Sequence, residues 1–282
     1  MWLRQKYKPE KQRFEKPFEL EIDSNLNDQR SDSANHEVSK KSVLKLNQSY
    51  TALGTTVWDG SIALAKMFDN REAFPLSYLQ TCRVLELGAG CGLVGIYLCL
   101  LGAKMTVLTD MQCCIKTLKD NVTSNITASY RDRIKVMEYS WGKNTTELIK
   151  DGLFDLIVAA EVLYSPTDSV LLAQCIPKLT KPDSRIFVSM GRNRGGEKVF
   201  VKTLADQGYH CSEVCKKGRY KSKIILIKQP PPPPKKKKKI VRSFILPQNC
   251  CSLRNLRLSK INPLPSPSPS PEQHNCYQNV VF

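Results

Sequence analysis

No stretch of this 282-residue chain is apolar for the roughly 18 to 20 residues that a helix needs to cross a bilayer, and the longest apolar run, around Leu93 to Leu101, falls far short. The opening Met-Trp-Leu-Arg-Gln-Lys-Tyr-Lys leads into no apolar core, so a secretory signal is not expected. Histidine is scarce. His36, His210 and His274 stand far apart, and the 11 cysteines never fall as Cys-x-x-Cys, so no metal site is expected. The cysteines, two adjacent pairs (Cys113-Cys114 and Cys250-Cys251) and scattered singles, read as thiols of a reducing compartment used as small core hydrophobes, and a cytoplasmic location is expected.

Acid is almost missing from the C-terminal part. After residue 215 there are 15 Lys and Arg against the single acid Glu272, whereas residues 1–215 carry 28 basic and 25 acidic residues. The net charge of +17 therefore belongs to a tail, and a basic nucleic-acid face on the folded part is not indicated. That tail runs Pro230 to Pro234, then Lys235 to Lys239, then Ser-Pro repeats ending at Pro271. Stiff proline and self-repelling lysine build no core. Lys235–Lys239 is a candidate nuclear-import patch, and contact with nucleic acid or an anionic surface is expected only through it. The chain is thus divided into a polar flexible segment, residues 1–41, a single folded domain, residues 42–228, and a disordered tail, residues 229–282. It is expected to be a monomer.

The domain is organised around Val84 to Gly95, Val-Leu-Glu-Leu-Gly-Ala-Gly-Cys-Gly-Leu-Val-Gly. An apolar strand runs into glycines and then into an apolar helix. Gly88 and Gly90 let the backbone approach a ligand, and the helix offers free N–H groups and a positive dipole end. Gly90-x-Gly92-x-x-Gly95 matches the dinucleotide fingerprint letter for letter, with Asp110 near the distance of a ribose-binding acid. The frame differs: the strand ends at Gly88, and Glu86 stands two residues before it.

Downstream, strands are expected at Met105 to Thr109, Ile134 to Tyr139, Phe154 to Ala160 and Arg185 to Met190, with helices between, and a hairpin near Tyr209 to Val214 and Lys223 to Ile227. Further upstream, short strands are expected at Phe18 to Ile22 and Val43 to Leu46. The count predicts an α/β fold, a doubly wound, mostly parallel seven-strand sheet with helices on both faces. Glu86, Gly88, Asp110, Trp141 and Glu161 all fall at strand ends that converge on one crevice. Each has two readings. Asp110 caps the next helix or accepts hydrogen bonds from a ribose diol; Trp141, like Trp58, fills core or faces a ligand; Glu161 is structural or acts on a substrate.

The hydrophobic-hydrophobic-acid-hydrophobic-Gly-x-Gly-x-Gly run resembles motif I of the class I, seven-strand S-adenosylmethionine (SAM) methyltransferases. Together with Val57-Trp58-Asp59-Gly60-Ser61-Ile62-Ala63-Leu64, Thr109-Asp110, Tyr139-Ser140-Trp141-Gly142 and Ala160-Glu161-Val162-Leu163-Tyr164, residues 43–228 resemble the family 16 protein-lysine methyltransferases. The subgroup they look most like methylates seventy-kilodalton heat-shock chaperones or the AAA ATPase valosin-containing protein. The resemblance implies a Rossmann-like SAM methyltransferase fold, SAM as cofactor and a protein substrate of that kind. It implies Trp58, Gly88, Ala89, Gly90, Asp110, Trp141 and Ala160 around SAM. Glu86 is a candidate to attract the SAM amino group, and Glu161 and Tyr164 are the catalytic candidates at the acceptor lysine. The family usually has Asp-x-x-Tyr where this chain has Glu161-x-x-Tyr164, one methylene longer. The rival readings are methylation of nucleic acid or a small molecule, or a non-catalytic scaffold; the Asn/Asp-Pro-Pro-aromatic motif of nucleic-acid amino-methyltransferases is missing.

Overall fold

The computed structural model describes residues 16–23, 41–49, 53–191, 195–215 and 222–230. The Lys235–Lys239 patch, the Ser-Pro repeats and most of the N-terminal segment lie outside them. Strands β1 (Phe18–Asp23) and β2 (Lys41–Leu46) pair antiparallel in a small sheet of their own. Here the expected boundary at residue 41 is corrected: Ile22 is buried in the main core, with Phe18 and Leu20 packed against it. Alternating apolar residues in Phe18-Glu-Leu-Glu-Ile put one face of β1 onto the domain.

The main sheet has seven strands: β3 (Arg83–Leu87), β4 (Met105–Asp110), β5 (Ile134–Glu138), β6 (Phe154–Ala160), β7 (Thr180–Met190), β8 (His210–Cys215) and β9 (Lys223–Lys228). Their spatial order is β5-β4-β3-β6-β7-β9-β8, parallel through β7 and antiparallel in the last two pairings. The intervening helices are α1 (Asp59–Met67), α2 (Leu76–Leu79), α3 (Leu93–Leu100), α4 (Gln112–Asn125), α5 (Thr146–Ile149), α6 (Pro166–Cys175) and α7 (Glu197–Asp206). This is the doubly wound sheet expected from the sequence. The central strands are apolar on both faces because helices cover both, and one core cluster lies on each side.

The order reverses between β3 and β6, and a crevice opens beyond the carboxyl ends of the strands at such a switch point. Registers bring the ends level: Leu87 pairs with Thr109, Asp110 with Glu138, and Ala160 with Ser189. Buried Asn121 of α4 braces this edge from behind. Its Nδ2 donates to the carbonyls of Cys91 (3.0 Å) and Asn47 (3.1 Å), and its Oδ1 accepts the Asn47 N–H at 2.8 Å. Cys82, Cys91, Cys99, Cys114 and Cys175 are buried, as their use as core residues requires, whereas Cys113 is exposed and Cys211 half-buried. Among the described residues no helix is long and apolar enough to cross a membrane.

Candidate active site

The glycine turn after β3 has its shape for reasons visible in its neighbours. Gly88 and Gly90 have φ of +68° and +54°, which only glycine adopts cheaply. A Cβ on Gly88 would lie 2.8 Å from Val162 Cγ1 and 3.2 Å from Trp141 Cζ2; one on Gly90 would lie 2.5 Å from the carbonyl oxygen of Gly54. Two walls therefore close on bare backbone: Trp141 and Val162 on one side, and a strap, residues 53–58, on the other. Ala89 is buried, and its N–H donates to the Thr109 carbonyl at 2.9 Å, tying the turn to the end of β4.

Asp110, the last residue of β4, holds the turn in place. Its Oδ2 accepts the Gly90 N–H and its Oδ1 the Met111 N–H, each at 2.7 Å. Burial pushes its carboxyl up from the usual carboxylate range, and these two amides pull it back. Asp110 thus bonds the Met111 amide just ahead of α4 and also faces the turn. Its oxygens retain acceptor capacity beyond one N–H each.

Glu86 sits deeper. It is buried, and its Oε2 accepts the Gly95 N–H at 2.7 Å, in the first turn of α3. A Cβ on Gly95 would lie 2.5 Å from that oxygen, so this glycine admits the carboxyl to the helix end. Any part of Glu86 in holding the SAM amino group is therefore proposed to run through the shape of the turn. Burial pushes its carboxyl up to about 8, against the opposing pull of the Gly95 amide. The folded chain then holds a proton that the unfolded chain releases near the ordinary value of 4.5. Stability should fall as pH rises from about 5 to 8, by on the order of a few kcal/mol. Thermal melts should show that slope, and Glu86→Gln should flatten it; parallel slopes in the two proteins would refute the assignment.

Across the crevice, Trp58 is half-buried at the start of α1, and its carbonyl accepts the Ser61 N–H at 3.0 Å and the Ser61 hydroxyl at 2.6 Å. Trp141 is half-buried as well, against Gly88 and the second core cluster. Ala160 ends β6, and Glu161 follows it at φ +59°, the one non-glycine residue with positive φ among those described. That conformation costs about 1 to 3 kcal/mol and persists only where surroundings enforce it. The enforcement is plain: Oε1 accepts the Gly60 N–H (3.1 Å), Oε2 the Gly191 N–H (3.0 Å), and the Glu161 N–H donates to the Ser189 carbonyl at 2.8 Å. Tyr164 is half-buried three residues on, just ahead of α6, whose first turn is capped by Ser165.

Strand ends, the glycine turn, the Trp141 ring and the buried acids Asp110 and Glu161 thus line one edge, and the strap that leads to Trp58 packs on the turn at Gly54. The sequence model of the family described as lysine methyltransferase matches residues 38–207. This chain belongs to that family. The methyltransferase is 34% identical to protein N-lysine methyltransferase METTL21A of Danio rerio over 55% of this chain and 67% of that one. It is 34% identical to METTL21A of Mus musculus over 52% and 66% of the two chains, and 28% identical to EEF1A lysine methyltransferase 3 of Mus musculus over 70% and 80%. The alignments thus span about two thirds of the METTL21A chains. It is a SAM-dependent protein-lysine methyltransferase.

The residues present fit the cofactor. Gly88 and Gly90 present backbone without side chains at the end of β3, Asp110 offers acceptors beside them, and half-buried Trp141 packs at Gly88. Sequence reasoning missed Ser189 and Gly191, which carry no local signal, and included Val162 only as part of the Ala160–Tyr164 run. Gly54 was legible only as a glycine ahead of the Val57-Trp58-Asp59 run.

Proposed function

We propose that this methyltransferase acts on a lysine of a folded partner protein, with SAM held between the glycine turn and the Trp58 strap, and with the acceptor lysine entering beside Glu161 and Tyr164. The single observation that carries this reading is the level register of β3, β4 and β6, which sets Gly88, Asp110 and Glu161 along one edge. The cofactor, when bound, supplies an electrophilic methyl group on a sulfonium.

What the chain contributes is binding and alignment. Gly88, Ala89 and Gly90 bring backbone to the ligand, Asp110 offers acceptors for hydroxyls, and Trp141, Trp58 and Ala160 supply apolar walls that exclude water. Buried negative charge on Glu161 favours a cationic side chain arriving at the β6 end. Tyr164 narrows the channel and offers its hydroxyl to the amine. Neither needs to be a strong base, because the ammonium loses its proton to water before the amine attacks. Holding the amine in line with the methyl carbon removes an entropic barrier worth several kcal/mol, on the order of 7 or more at best.

A chaperone or an AAA ATPase is proposed as the substrate, in keeping with the subgroup resembled; EEF1A belongs in the same panel because one relative is named for it. The decisive experiment is transfer of labelled methyl from SAM to a lysate, with and without nuclease, followed by peptide mapping. A labelled protein that survives nuclease and maps to lysine is the expected result. Nuclease-sensitive label would reassign the acceptor to nucleic acid, and SAM binding with no transfer to any acceptor would favour a scaffold.

A further inference from the structure

The extra methylene that Glu161 carries beyond the usual aspartate is absorbed at one place. Gly60 lies in the first turn of α1 without a side chain, and a Cβ built on it would lie 2.4 Å from Glu161 Oε1 and 2.8 Å from both Cγ and Cδ. The glutamate fills the volume that a side chain at position 60 would take. From there its carboxylate reaches the Gly60 N–H, one of the donors that a helix start leaves unsatisfied, and the Gly191 N–H beyond β7. The other polar group of Gly60 is held too. Fully buried Ser189 donates its hydroxyl to the Gly60 carbonyl at 2.8 Å.

Both backbone groups of one residue are therefore gripped by side chains, one just past the end of β6 and one from β7. Immediately upstream of that residue lies the strap, and Gly54 in it packs on Gly90, Asp110 and Cys114. We infer that Gly60 and Glu161 are a size-matched pair which, with Ser189, fastens the start of α1 to the sheet and thereby holds the Trp58 strap against the glycine turn. Glu161 is in this respect a positioning residue, and its effect reaches the cofactor side of the crevice. The inference rests on the reading of that crevice as the SAM site.

The test is SAM binding by calorimetry, with methyl transfer and thermal melts alongside, in wild type, Gly60→Ala, Glu161→Asp and the double variant. Gly60→Ala pushes the carboxylate off its amides and should weaken SAM binding about 10- to 100-fold; Glu161→Asp loses one amide and should cost about 3- to 10-fold. In the double variant the shorter acid leaves room for the methyl group. Alanine should then cost no more than about threefold beyond Glu161→Asp, and the melting temperature lost in Gly60→Ala should largely return. Ser189→Ala, which keeps the pair, should raise the KM for SAM more than it lowers kcat.

Effects of the two single changes that simply multiply in the double variant would overturn the pairing. Unchanged SAM affinity in both single variants, with only lysine transfer lost, would overturn the positioning role and return Glu161 to the acceptor. If Gly60→Ala does not fold, Glu161→Asp and Ser189→Ala decide by the same affinity and KM readings. A wild-type chain that binds no SAM would instead sink the proposed function, and the recovery of melting temperature in the double variant would still judge the pair.

Discussion

Asp110→Ala should weaken SAM binding about 100-fold, the largest loss expected from a side chain in the crevice. The carboxylate accepts the Gly90 and Met111 amides at 2.7 Å each, and the residue is buried. Charge-assisted bonds of this kind are worth about 1.5 to 3 kcal/mol apiece, and their loss leaves two amides without an acceptor as well as freeing the turn. On the proposed reading, ligand contacts to the same oxygens are lost with them. Asp110→Asn keeps one acceptor oxygen but turns an NH₂ toward one of the two N–H donors, so an intermediate loss of about 10-fold is expected. Calorimetric titration with SAM, with circular dichroism to verify folding, measures both. Wild-type affinity in the alanine variant would remove Asp110 from the site.

Gly90→Ala should abolish measurable SAM binding and destabilise the protein by about 2 to 4 kcal/mol, combining a left-handed φ with overpacking. The added methyl group would meet the carbonyl oxygen of Gly54 at 2.5 Å, and that neighbour is backbone, which cannot swing aside as a flexible side chain would. Relief requires moving the strap away from the turn. Gly152→Ala is the informative control, since Gly152 has φ of +105° but nothing within 4 Å of its would-be Cβ. It should lose some stability through strain alone and bind SAM as wild type does. Equal effects of the two substitutions on SAM affinity would show that the approach of Gly54 to Gly90 has no functional weight.

Much of the fold was legible because it is written in local patterns. The apolar strands and the glycine turn follow from residues near one another in the chain and appear close to where expected, although β7 begins at Thr180 and not at Arg185. The first hairpin shows the limit. Phe18 to Ile22 reads as a strand from its alternation, but its partner lies beyond residue 40, and nothing local says that Ile22 enters the core.

The residues of the site divide in the same way. Sequence by itself determined the strand–glycine–helix unit, the acids at the strand ends and the membership of a family that methylates lysine, because identity and spacing suffice to recognise them. Only the tertiary structure decided how the acids are used. Glu86 turns to an amide nine positions away, Asp110 to one twenty positions back, and Glu161 to amides 101 and 30 positions away. A buried carboxylate must find donors wherever folding brings them, since leaving it unpaired costs several kcal/mol, on the order of 3 to 5 when one partner is removed. Which donors those are is fixed by sheet order and packing, and no local pattern encodes it.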